Sequence, residues 1–254
     1  MSAVNVASGG PATGTDDRPG RYPWWLILVM FLVPGVLSTA FAALLAPVLR
    51  EHGLPGHLAL DLSPVVLVGE LGLLLALGRR RNGRLSLRGV VGFRQRLPLP
   101  RLLGVLAGLY LAMLALYLLM RPLTENLATH VFGWVPDWLG GEPAHEPGRA
   151  GLVLLVVGTA VFNTVVDPII EEMYFRGHLL PRMPIAGFAA VVVNAALFSV
   201  QHFWQPELYL FVFGCQVLLM TALVRFGDLR ISMAGHCLVN GTGAVLTLLA
   251  YAHA

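Results

Sequence analysis

The run WWLILVMFLVPGVLSTAFAALLAPVL, Trp24 to Leu49, contains no charged side chain. At 1.5 Å per residue a helix of this length spans a hydrocarbon core about 30 Å thick. It is about twice as long as the apolar region of a secretion signal, so a cleaved signal peptide is not expected here. Comparable apolar runs follow at about 62–78, 102–120, 150–170, 185–203, 208–224 and 231–252. The second contains Glu70, and the fourth and seventh contain further polar groups. The expected fold is all-α: a polytopic transmembrane helix bundle of about seven spans. Residues 1–21, rich in Gly, Ala, Ser, Thr and Asp, read as a disordered cytoplasmic tail. Residues 22–254 read as a single transmembrane domain, its motif-bearing core at about 150–254.

Composition supports that reading. Hydrophobic residues make up 56% of the 254-residue chain and charged residues 12%, whereas soluble domains run near a quarter charged. The chain lacks polar cover for a water-facing surface, so the lipid bilayer is part of its solvent. Every basic residue counted is arginine, and most flank apolar spans. That placement reads as membrane topology, with no nucleic-acid groove. Eight arginines crowd one connection (Arg79, Arg80, Arg81, Arg84, Arg88, Arg94, Arg96 and Arg101). Placing this loop inside puts the N-terminus in the cytoplasm and leaves only Arg50, Arg121 and Arg149 outside, the distribution expected of a plasma-membrane protein. Trp24, Trp25, Trp134, Trp138 and Trp204 fall near span ends, where interfacial aromatics gather. Cys215 and Cys237 lie within apolar stretches and read as free thiols.

Ionisable groups at membrane depth are costly unless paired or facing a wet cavity, so those present are functional candidates. The first cluster is Asp167-Pro-Ile-Ile-Glu171-Glu172-Met-Tyr-Phe-Arg176-Gly177. Glu172 and Arg176 are four apart and share a helical face, so they pair. Glu171 lies about 100° round the helix and is left free to act on a substrate or water. The competing reading makes both acids interfacial, with Arg176 snorkelling to the surface. The second cluster ends at His202, four residues after Phe198; the third is His236 with Asn240. His202 alone reads equally as an interfacial residue, and the pair His236–Asn240 as polar packing between helices.

Together, an unpaired carboxylate, two imidazoles and a carboxamide on three helices form a hydrolytic set. The carboxylate takes a proton from water; the imidazoles hold a metal or donate to an oxyanion, as Asn240 does through its amide. No His-Glu-x-x-His zinc helix, Gly-x-Ser-x-Gly elbow or paired intramembrane aspartate is present. By elimination the nucleophile is water.

The order Glu171-Glu172-Met-Tyr-Phe-Arg176-Gly177, then Phe198 through His202, then His236 through Asn240 resembles the CPBP family. These are the CAAX-protease and bacteriocin-processing membrane endopeptidases, also called the Abi family or type II CAAX prenyl proteases. The resemblance covers about 165–245. It implies an intramembrane peptidase in which Glu171 activates the attacking water and His202 is essential. His236 and Asn240 would bind that water or stabilise the oxyanion, with Glu172 and Arg176 in support. Asp167 departs from the family pattern, which has a small or apolar residue there, and adds a third acid. The resemblance leaves open a Zn²⁺ held by Glu171, His202 and His236 or a metal-free, glutamate-activated water. The substrate it implies is a peptide or protein, membrane-anchored or prenylated.

Two other readings keep the same residues: a non-catalytic scaffold or immunity-type protein, and a small proton-coupled transporter. One geometric difficulty attends the peptidase reading. Counted up from a turn at Pro181–Pro184, Glu171 lies about 15 Å along its helix and His202 about 27 Å. Tilt, or a fifth helix starting near Gly187, would narrow that gap.

Overall fold

The structure is a computed structural model and describes residues 20–135 and 148–253. The expected tail lies outside the described residues up to residue 19, as does Trp138. Among the described residues the chain forms seven helical segments: α1 (Trp24–Glu51), α2 (Leu58–Asn82), α3 (Leu99–His130), α4 (Arg149–Arg182), α5 (Gly187–Val200), α6 (Pro206–Phe226) and α7 (Arg230–His253). Helices α1 to α4 and α6 are each long and apolar enough to cross a membrane. Their outward faces carry large apolar side chains such as Leu44, Val68 and Leu119, exposed by 78%, 73% and 73%. An apolar surface this extensive is stable only against lipid. The chain is an integral membrane helix bundle.

Prolines shape the helices that matter most. Pro168 lacks the N–H that would bond the carbonyl of residue 164, and its ring crowds that turn. The chain accommodates it by widening to π-helix over Thr159–Val166, where Thr164 Oγ1 donates to the Thr159 carbonyl at 2.9 Å. Helix α4 widens again over Glu172–Leu179 ahead of Pro181. The carbonyl of Gly177, freed from Pro181, accepts from Gly92 N at 2.8 Å. Helix α2 breaks at Leu62–Pro64 and resumes as π-helix over Val65–Leu71. That stretch packs against Asp167–Glu171 of α4, while α7 packs on the other side of the same turns.

Helix α5 is the shortest of the apolar helices. It runs 14 residues, about 21 Å, and begins at Gly187. That late start narrows the depth gap between Glu171 and His202 without closing it. The chain then turns through Gln201–Trp204, with His202 N bonded to Ser199 O at 3.2 Å, before entering α6. Helix α1 braces this turn: a Cβ on Gly35 would collide with the Gln201 carbonyl oxygen, so only glycine permits the approach. A shared apolar core of Phe31, Tyr174, Phe175, Leu179, Val191 and Phe198 joins α1, α4 and α5 beneath the site.

Candidate active site

Helix α4 supplies the two acids, and the π turns after Glu171 set their directions. Glu172 points into the protein and is fully buried, as is Arg176. Their charged atoms stand 3.4 Å apart, the pair expected from the sequence. Arg176 also stacks over the Phe198 ring at 3.8 Å, an arrangement that suits a planar, weakly hydrated cation. Glu171, one residue earlier, faces a cavity of about 630 Å³. The same cavity is lined by Asp167, His202, His236 and Asn240.

His236 on α7 ties the two acids together. Its Nδ1 lies 3.1 Å from Glu172 Oε1 and its Nε2 lies 3.9 Å from Glu171 Oε2. A carboxylate at Nδ1 accepts only, so Nδ1 carries a proton, and Nε2 accepts whenever the ring is neutral. His202 is fixed in the same tautomer, with Nδ1 donating to the Phe198 carbonyl at 2.8 Å. Phe198 stands between the imidazoles, its ring centroid 4.9 Å from His202 and 5.8 Å from His236. Asn240, one turn beyond His236, donates one amide N–H to the Asn163 carbonyl at 2.9 Å and keeps the second. The three sequence clusters therefore meet at a single cavity.

The neighbouring polar groups were less legible. Glu70 is 2% exposed and lies within electrostatic range of Glu171, Asp167 and Arg176. Asp61, from the short turn before the break in α2, accepts from Thr159 Oγ1 at 2.9 Å and reaches the cavity beside Asn163. Helix α2 therefore contributes Asp61 to the cavity lining, while Glu70 stays buried behind it. The only sequence signal was Glu70 standing within an apolar span.

The residues that would hold Zn²⁺ are Glu171, His202 and His236. Among the described residues, no group of three His, Cys, Asp or Glu side chains has the spacing to hold a metal ion. As placed, Glu171, His202 and His236 are not gathered closely enough to share one ion.

A membrane-embedded helix bundle with a carboxylate and imidazoles facing an internal cavity is the class this fold and site define. Residues 153–242, which contain all three motifs, match the family described as type II CAAX prenyl endopeptidase Rce1-like. This match agrees with the CPBP resemblance. No curated protein and no solved structure is matched by the chain.

Proposed function

We propose that this protein is an intramembrane endopeptidase that hydrolyses a peptide bond with a water activated by Glu171. The observation that carries the reading is the 3.9 Å separation between Glu171 Oε2 and His236 Nε2; with the carboxylate ionised and the imidazole neutral, both atoms accept. A water within hydrogen-bond distance of both subtends about 90° between them, close to its own H–O–H angle. Its two protons are then engaged, and a lone pair is left to attack the substrate carbonyl carbon. Glu171 takes one proton as the C–O bond forms, then passes it to the departing amine nitrogen as the C–N bond breaks. The remaining N–H of Asn240 donates to the oxyanion. His202, with Nδ1 committed to Phe198, donates from Nε2 only as imidazolium and otherwise accepts from the substrate. Glu172, held by Arg176, keeps the His236 proton on Nδ1 and so keeps Nε2 an acceptor.

The cavity also favours a substrate class. Away from the acids its walls are Met113, Tyr117, Leu118, Phe211 and Leu219, which suit an apolar chain. A prenylated or membrane-anchored peptide presents such a chain beside its scissile bond. The Rce1-like match supports the same class. The arginine-rich connection between α2 and α3 supports a cytoplasmic placement of that end in a cell membrane.

The test is cleavage of lipidated and unlipidated peptides by the purified full chain, with and without a chelator. Cleavage of the lipidated peptide, unchanged by chelation, is expected. Loss on chelation with rescue by Zn²⁺ would replace the metal-free step. Absence of any cleavage would favour the scaffold or transporter readings.

A further inference from the structure

A second cavity, about 380 Å³, lies at the arginine-rich end of the bundle and is lined by Arg81, Asn82, Arg88, Gly89, Val91 and Arg94. Three arginine side chains line it together. Like charges do not gather on a short connection without cost, so what holds them in place matters.

Two glycine turns and a set of hydrogen bonds shape the scaffold. Gly83 and Gly89 adopt φ of +68° and +72°, which L side chains rarely accept. Asn82 Nδ2 donates to the carbonyls of Ser86 and Arg88 at 3.0 and 3.1 Å, closing the loop onto the end of α2. Arg94 folds over the turn, with Nε on the Val91 carbonyl at 3.1 Å and Nη2 on the Leu87 carbonyl at 2.5 Å. Those bonds leave its Nη1 for an incoming anion. The loop is also anchored from below: the Val90 carbonyl accepts from Arg182 Nη1 at 3.1 Å, and Leu229 N donates to Phe93 O at 3.0 Å. The arginines are therefore presented by a fixed frame.

We propose that this cavity is a binding site for a phosphate group, with the phosphodiester headgroup of an anionic lipid as its source. Arginine forks match tetrahedral oxyanions through paired N–H donors. The frame sits at the end of α2, where a membrane helix emerges among headgroups. The site is separate from the Glu171 cavity and does not depend on the activity proposed above.

Calorimetric titration of the purified full chain with dihexanoyl-phosphatidylglycerol, dihexanoyl-phosphatidylcholine and inorganic phosphate tests it. Saturable binding of the glycerol lipid is expected, weakened about 20- to 30-fold in Arg81→Gln/Arg88→Gln. The control Arg79→Gln/Arg80→Gln changes net charge equally but lies outside the lining, so it should stay within about threefold of wild type. Arg88→Lys should retain most of the affinity, and thermal melting checks that each variant is folded. Binding of the glycerol lipid alone supports the site with a lipid source. Equal, variant-sensitive binding of inorganic phosphate supports the site but moves its source to the free anion. Equal weakening in both double variants, or no saturable binding, overturns the proposal.

Discussion

Replacing Glu172 by Gln preserves the volume of the side chain and removes the charge that faces Arg176 at 3.4 Å. Both side chains are fully buried, so the guanidinium would be left without its nearest counter-charge in a low-dielectric interior. Breaking such a pair from one side costs about 3–5 kcal/mol. Glu171 and Glu70 also lie within electrostatic range of Arg176, which places the expected cost near the lower end, about 3 kcal/mol. For a chain of this size that corresponds to a melting temperature about 6–12 °C lower. Arg176→Met should cost a similar amount by stranding Glu172. The double variant leaves neither charge buried alone, so its loss should be smaller than the sum of the singles by about 2 kcal/mol. The assay is thermal unfolding of the four proteins in one detergent at fixed pH. Losses that add to within about 0.5 kcal/mol would refute the idea that Glu172 serves Arg176 and leaves Glu171 free.

Two further outcomes follow from the packing. Gly35→Ala should force α1 away from the Gln201 carbonyl, displace His202, and lower both melting temperature and cleavage rate; a misplacement near 1 Å costs about 100-fold in rate. Gly104→Ala, where an added Cβ meets nothing within 4 Å, is the matched control and should leave both unchanged. At the α6–α7 turn, the Arg230 guanidinium and the N–H of Leu97 hold the Asp228 carboxyl below its usual range. A carboxyl whose folded pKa is depressed contributes stability above its unfolded value, about pH 3.9, and loses it as pH falls through the lower folded value. Melting temperature should therefore drop below about pH 4 in the wild type, and Asp228→Asn should remove that increment. An unchanged acid limb in the variant would contradict the assignment.

The membrane helices were legible because lipid demands long uncharged runs, and the run at Trp24–Leu49 returned as α1 with its C-terminal end shifted by two residues. Helix α4 was legible only to about residue 170, since Glu171, Glu172 and Arg176 look like the end of a span. They are instead internal to a helix reaching Arg182, with Glu172 and Arg176 buried as a pair against Phe198. The π turns around Pro168 and before Pro181 carry no periodic signature, so the facing of Glu171 could be read only as a 100° offset. The clusters at His202, His236 and Asn240 stood out because polar groups are conspicuous among Leu, Val and Ala. Asp61 and Glu70 were not connected to them: their approach depends on how a broken α2 packs against α4, and that information is tertiary. The short α5 was similarly hidden, since an apolar run does not mark where Gly187 lets the helix begin.

Glu171→Gln is the most direct test of the account. The substitution keeps the shape of the side chain and its place in the cavity, and removes the base that would take a proton from water. Cleavage of a lipidated peptide, measured beside thermal unfolding of the same preparation, should fall by at least about 100-fold with the melting temperature nearly unchanged. A Glu171→Gln variant that cleaves within about threefold of wild type would contradict the central claim.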